Sequence, residues 1–230
     1  MDFYHLWKEV RNNQISEISF FNDFLLKREV SLKTMLNGSE DDLITMSKIL
    51  LGTSIENFIE NFPSFNSIVG ANEVIQFSNL NHALDDVCRI VKFEGSEITY
   101  SILGQRLVNA KTEIANKKYG ENHSKLAAEL SFVILKKKKS FVIENTLFGD
   151  FVLNLTHNER LELAKRLLLR NSFIRLIISE AKKGKCNYVD VASRVISGST
   201  IDRRRSNVRM LVKLILENTD YENLYNNIYW

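Results

Sequence analysis

From Ile201 onward the apolar residues fall at Val208, Leu211, Val212 and Ile215, the spacing of one face of a helix. At roughly 100° per residue, Arg203, Ser206, Asn207, Arg209, Met210 and Lys213 point mostly the other way. Ser199 or Thr200 stands where a hydroxyl accepts from the free N–H groups of a first turn, so a helix is predicted over 199–216. One of its faces fits a core and the other carries arginine, lysine, serine and asparagine.

The same test predicts helices along most of the chain. Residues 1–36 read as one or two amphipathic helices anchored by Phe3, Leu6, Trp7, Val10, Ile18, Phe21, Leu25 and Leu26. The turn at 37–42 also caps a helix over about 42–51, and a further helix over 55–62 stops at Pro63. Residues 64–79 read as a loop with a short helix. Helices follow over 80–93, ended by Gly95, over 97–108, and from Glu121 or Asn122 to Ile134. Then come Lys136-Lys137-Lys138-Lys139 and two short strands, Phe141-Val142-Ile143 and Phe151-Val152-Leu153, about Gly149. Thr156 with Glu159 forms a capping box for a helix over 159–169. Helices over 173–182 and 188–196, with turns at Gly184 and Gly198, lead into the arginine-rich helix.

Three helices, a basic turn and two strands follow the order of a winged helix. The second half repeats the three helices, but only 221–230 remain for a wing. The expected fold is therefore mainly α: tandem winged helix-turn-helix units with short β-wings plus an N-terminal helical region. The expected division is 1–78, 79–155 and 156–230.

Composition and charge narrow the chemistry. With 44% apolar residues, 26% charged and one proline in 230, the chain reads as globular and mostly helical. Residues 1–100 hold 8 Lys+Arg against 15 Asp+Glu, and residues 101–230 hold 23 against 13. The basic half suits a polyanion and the acidic half suits protein contacts. Cys88 and Cys186 stand in no paired motif, and His5, His82, His123 and His157 show no metal-ligand spacing. No signal-peptide pattern or long uncharged apolar run is present, so a cytoplasmic protein with no membrane span is expected.

Cations neutralise phosphates, while guanidiniums and amides read base edges in a major groove. The candidate DNA-binding residues of the last helix are Thr200, Arg203, Arg205, Ser206, Asn207, Arg209 and Lys213. By angle, Arg204 leans toward the core side. Lys136, Lys137, Lys138 and Lys139 stand where a wing would touch phosphate or the minor groove. On the helix before them, Leu126, Leu130 and Val133 share one face, and Ser124 and Lys125 lie opposite as further candidates. That face is less cationic, and an ordinary amphipathic helix in a protein-interaction module is an equal reading of it. The aromatic residues Phe20, Phe21, Phe24, Phe58, Phe62, Phe65 and Phe77 are candidates for core or for a partner-binding surface.

The stretches 119–127, Leu147-Phe148-Gly149, Asn158-Glu159-Arg160-Leu161 and 199–208 resemble a bacterial tandem winged-helix module. That module is found in proteins of restriction-modification and related defence systems. The resemblance covers roughly 80–217, and its strongest element is Ser199-Thr200-Ile201-Asp202-Arg203-Arg204-Arg205-Ser206. Arg205 departs from it, since the family pattern favours a small residue there. The resemblance implies DNA recognition or an accessory role.

Catalytic readings find less support. Glu180-Ala181-Lys182 resembles the end of a metal-dependent nuclease motif, but that chemistry needs a strand and this pair lies in a helical pattern. No phosphate loop follows Gly70 or Gly95, and no local nucleophile motif occurs. The expectation is a non-catalytic, cofactor-free and metal-free protein that binds double-stranded DNA as an accessory or specificity subunit of a bacterial restriction or defence system. Its N-terminal region would hold a protein partner or a second copy. A transcription regulator and a protein-interaction scaffold are the alternatives.

Overall fold

Asp2 caps the first helix by accepting from the His5 N–H at 2.8 Å, and Phe3, Leu6 and Val10 fall on its buried stripe. Such caps and stripes recur through this computed structural model, which describes residues 2–12, 17–63, 69–95 and 98–230. The chain is mainly helical with a small sheet. It opens with α1 (Phe3–Arg11), α2 (Glu17–Leu25), α3 (Glu29–Asn37), α4 (Glu40–Gly52) and α5 (Ile55–Glu60), followed by a 3₁₀ turn at Ala71–Glu73. A π-turn at His82–Asp86 runs into α6 (Val87–Glu94). Then come β1 (Ile98–Thr99), α7 (Tyr100–Val108), α8 (Glu113–Glu129), β2 (Val133–Lys137), β3 (Phe141–Asn145) and α9 (Leu147–Val152). The last stretch holds α10 (His157–Leu168), α11 (Ser172–Lys182), β4 (Cys186–Asn187), α12 (Tyr188–Ser193), α13 (Ser199–Leu216), a 3₁₀ helix at Glu222–Asn227 and β5 (Ile228–Tyr229).

Two compact units result. A terminal unit gathers Met1–Leu32, Lys48–Ile75 and Lys165–Trp230, and a central unit gathers Lys33–Ser47 and Gln76–Ala164.

The core of the terminal unit is aromatic. Phe3 and Phe20, Phe20 and Phe21, and Phe21 and Phe58 meet edge to face at 5.1–5.2 Å between ring centroids. The guanidinium of the buried Arg170 lies 5.5 Å over Phe24, and Arg175 Nη1 donates to the carbonyls of Leu25 and Leu169, each at 2.9 Å. Arg166 Nε donates to the Thr53 carbonyl at 3.0 Å. Buried guanidiniums thus satisfy backbone acceptors of segments far away in sequence. Phe20, Phe21, Phe24 and Phe58 are core here, and Phe77 is buried in the central unit. Phe62 is half-buried, and Phe65 lies outside the described residues. Ile18 and Leu26, expected as anchors, are exposed.

After α13 the terminal unit departs from expectation. β5 pairs with β4 in parallel, Cys186 opposite Ile228, and no antiparallel hairpin follows α13 among the described residues. The expected short wing at 221–230 is replaced by this pairing and a 3₁₀ helix.

In the central unit the sheet order is β1-β3-β2, antiparallel throughout, with Ile98 opposite Ile143 and Lys137 opposite Phe141. Three expectations change. The long helix starts at Glu113, because Thr112 accepts from the Ala115 N–H at 3.2 Å and Gly120 is helical. It ends at Glu129, so Val133 and Ile134 belong to β2. Phe151-Val152-Leu153 forms no strand. Thr146 Oγ1 accepts from the Gly149 N–H at 2.8 Å and starts α9, which takes Phe151 and Val152. Glu97, the expected start of the preceding helix, lies outside the described residues, and α7 is capped by Thr99.

Gly104 and Gly120 explain how α7 and α8 meet. A Cβ on Gly104 would lie 1.8 Å from the Asn116 carbonyl oxygen, and one on Gly120 would lie 2.0 Å from that of Tyr100. Only hydrogen fits at either crossing, so the two backbones touch. Asn116 then closes the connection by accepting from the Ala110 N–H at 2.7 Å and donating to the Ala110 carbonyl at 3.2 Å.

Candidate nucleic-acid interface

Because α8 runs from Glu113, its exposed side carries Ile114, Lys117, Lys118 and Lys125. Lys117 and Lys118 precede the helix start expected from the sequence, which lay after Gly120. The signal was present in Thr112, a hydroxyl followed by Glu113 and a helix-length stretch without proline. Lys125 Nζ donates to Glu121 Oε1 at 2.6 Å, and Lys118 Nζ lies 3.7 Å from the other carboxylate oxygen. The Lys125 hydrogen bond and the nearby lysines hold the Glu121 carboxyl below its ordinary value. Ser124 turns inward: it is fully buried, and its Oγ donates to the Glu121 carbonyl at 3.1 Å. A duplex would meet Lys125 and not Ser124.

Behind this face His123 is fully buried. The Asn79 N–H donates to its Nε2 at 3.3 Å, which leaves Nδ1 protonated and donating to the Tyr119 carbonyl at 2.8 Å. Burial pushes the imidazole below its ordinary value.

The lysine run divides between strand and turn. Lys136 and Lys137 end β2, while Lys138 and Lys139 lie in the turn to β3, where the Lys138 N–H donates to the Ser140 carbonyl at 3.0 Å. All four side chains are exposed, and Lys136 Nζ meets Glu144 Oε2 at 2.5 Å across the hairpin. Lys117 from α8 and Lys137, Lys138 and Lys139 from the hairpin line one cleft of about 790 Å³.

In the terminal unit α13 begins at Ser199 after Gly198, whose φ is 58°, and no side chain caps it. Thr200 is half-buried, and neither it nor Ser199 serves as the cap. Arg203, Ser206, Arg209, Met210 and Lys213 are exposed on one side, interrupted by Asp202 and Glu217. Arg203 makes no hydrogen bond or ion pair among the described residues. Arg209 Nε donates to Tyr225 Oη at 2.7 Å. Arg205 is half-buried, pairing with Asp202 at 2.5 Å and lying 6.0 Å over the Tyr188 ring. Asn207 is buried beside Val208, so the amide expected on the outer face is unavailable to a base.

Glu180, Ala181 and Lys182 are helical on α11, and Lys182 Nζ lies 5.3 Å over the Tyr221 ring. Among the described residues no group of three or more His, Cys, Asp or Glu is placed to hold a metal ion, and no helix is long and apolar enough to cross a membrane. Comparisons with family models, curated proteins and solved structures returned no match to this chain.

Proposed function

We propose that this protein binds double-stranded DNA and performs no catalytic step of its own. The observation that supports the reading is the element order α6-β1-α7-α8-β2-β3 with sheet order β1-β3-β2, which we read as a winged helix. In this reading α8 is the helix offered to the groove and the lysine hairpin is the wing. Lys117, Lys118, Lys125 and Lys136–Lys139 supply the phosphate contacts. The exposed side of α13 is a second cationic surface, on Arg203, Ser206, Arg209 and Lys213. An accessory or specificity role in a bacterial restriction or defence system rests on the resemblance of 199–208 and its neighbours.

Duplex affinity measured by fluorescence anisotropy across a salt series tests this. Changing Lys136–Lys139 to glutamine should weaken binding about equally for all sequences and flatten the salt slope by roughly 0.9 for each phosphate no longer neutralised. Arg203→Ala with Arg209→Ala should cost on the order of 1–3 kcal/mol where either arginine reads a base edge. Binding that ignores salt and both variants overturns the reading. It would favour a protein-interaction scaffold, for which the central unit offers Phe93, 88% exposed, and Ile114, 83% exposed.

A further inference from the structure

The cleft beside the lysine hairpin holds more than cations. Tyr100 and Phe141 both line it and stack with centroids 5.5 Å apart and planes 19° from parallel. Tyr100 is buried, while Phe141 is 42% exposed and lines the cleft. The lining also carries Lys117, Lys137, Lys138 and Lys139 with Ser101 and Ser140. Two carboxylates share the lining, Glu113 and Glu121, and Glu121 is already paired with Lys118 and Lys125. The volume of about 790 Å³ falls in the range of small-molecule sites.

A duplex backbone can use the lysines but has no use for the ring, because paired bases are stacked inside the helix. A flat ring face bordered by an excess of cations instead matches one unstacked nucleotide, with the base on the aromatic ring and the phosphate on the lysines. A terminal phosphomonoester carries close to two negative charges, against one for an internal diester, and four lysines favour the former. We propose that this cleft binds a nucleoside monophosphate unit, either free or as the phosphorylated end of a strand. Its base stacks on Phe141, and its phosphate is held by Lys117 and Lys137–Lys139. The proposal goes beyond duplex binding and does not require it.

Calorimetry on the full chain with AMP, adenosine and inorganic phosphate tests the site. AMP should bind one to one, at least ten-fold more tightly than adenosine or phosphate alone. Phe141→Leu, which keeps apolar bulk on Tyr100, should weaken AMP on the order of ten-fold and leave inorganic phosphate unchanged. Lys138→Gln with Lys139→Gln, confined to the exposed turn, should erase the advantage of AMP over adenosine. Ten-nucleotide strands with and without a terminal phosphate separate the sources. A phosphorylated strand binding more tightly than AMP and its unphosphorylated twin marks a strand end, and AMP binding at least as tightly marks the free nucleotide. AMP binding no tighter than phosphate, or unaffected by both variants, overturns the proposal. A closed dumbbell duplex, which has no strand ends, keeps the two readings apart. If it binds while AMP does not, the nucleotide site falls and the duplex reading stands.

Discussion

Burial opposes the protonation of His123. It is buried, its Nε2 accepts from the Asn79 N–H, and the His82 ring lies 5.5 Å away, itself bonded to Asp86 at 2.8 Å. Burial, the largest cause, and the nearby His82 lower its folded pKa from the ordinary 6.5. The unfolded chain then binds the proton first, so stability should fall as pH drops below about 6.5 and level off once the folded form also titrates. For one proton the slope cannot exceed about 1.4 kcal/mol per pH unit. Urea unfolding between pH 8 and 5 should show this decline, and His123→Gln should flatten it. An equal decline in the variant would assign the effect to other groups. Ser124 and Asn207 carry a related lesson. Each lies at the border of a helix face, where an angle count cannot decide between core and solvent. Ser124 follows Gly120 by one turn on a line of small residues that draws it inward.

At the scale of elements, the crossing of α7 and α8 sets where the lysine-bearing helix lies. Gly120→Ala would force a methyl into a backbone contact, and we expect a loss of about 1–3 kcal/mol or more, read as a lower urea midpoint. An unchanged midpoint would mean that the two helices can separate at no cost. Gly120 also hid this helix from the sequence, because a mid-chain glycine reads as a break unless a close neighbour demands it. Signals carried by local bonds were legible. Gly95 ends α6 with φ 82°, and the Thr156–Glu159 box forms as expected, with the Thr156 N–H donating to Glu159 Oε2 at 2.8 Å. β2 was not legible, because Val133 and Ile134 could extend a helix and four consecutive lysines erase the alternation that marks a strand. Of the cleft, only the hairpin lysines Lys137, Lys138 and Lys139 were legible. Its aromatic pair joins Tyr100 to Phe141 through the pairing of β1 with β3, which no local pattern announces.

The whole molecule is interleaved. The acidic first hundred residues are shared between both units, so the charge division along the sequence does not coincide with the structural one. The terminal unit joins 1–32 and 48–75 to 165–230. A chain starting at residue 76 lacks Phe3, Phe20, Phe21, Phe24 and Phe58, and it strips Arg175 of the Leu25 carbonyl and Arg166 of that of Thr53. Such a fragment should be insoluble or lose hydrogen-exchange protection across 165–230. Retained protection there, with self-association abolished, would return the N-terminal segments to a docking role.

Each unit also carries one thiol. Cys88 is buried in the central unit with Sγ 3.7 Å from the Phe132 carbonyl, and Cys186 is buried on β4 in the terminal unit. Burial raises both pKa values, that of Cys186 to about 11, so neither is reactive while its surroundings stay closed. An alkylating reagent therefore becomes a pair of stopwatches. Label on Cys88 times the openings of one unit and label on Cys186 those of the other, in a single native sample read by mass. Cys186, on a two-residue strand, should be marked first.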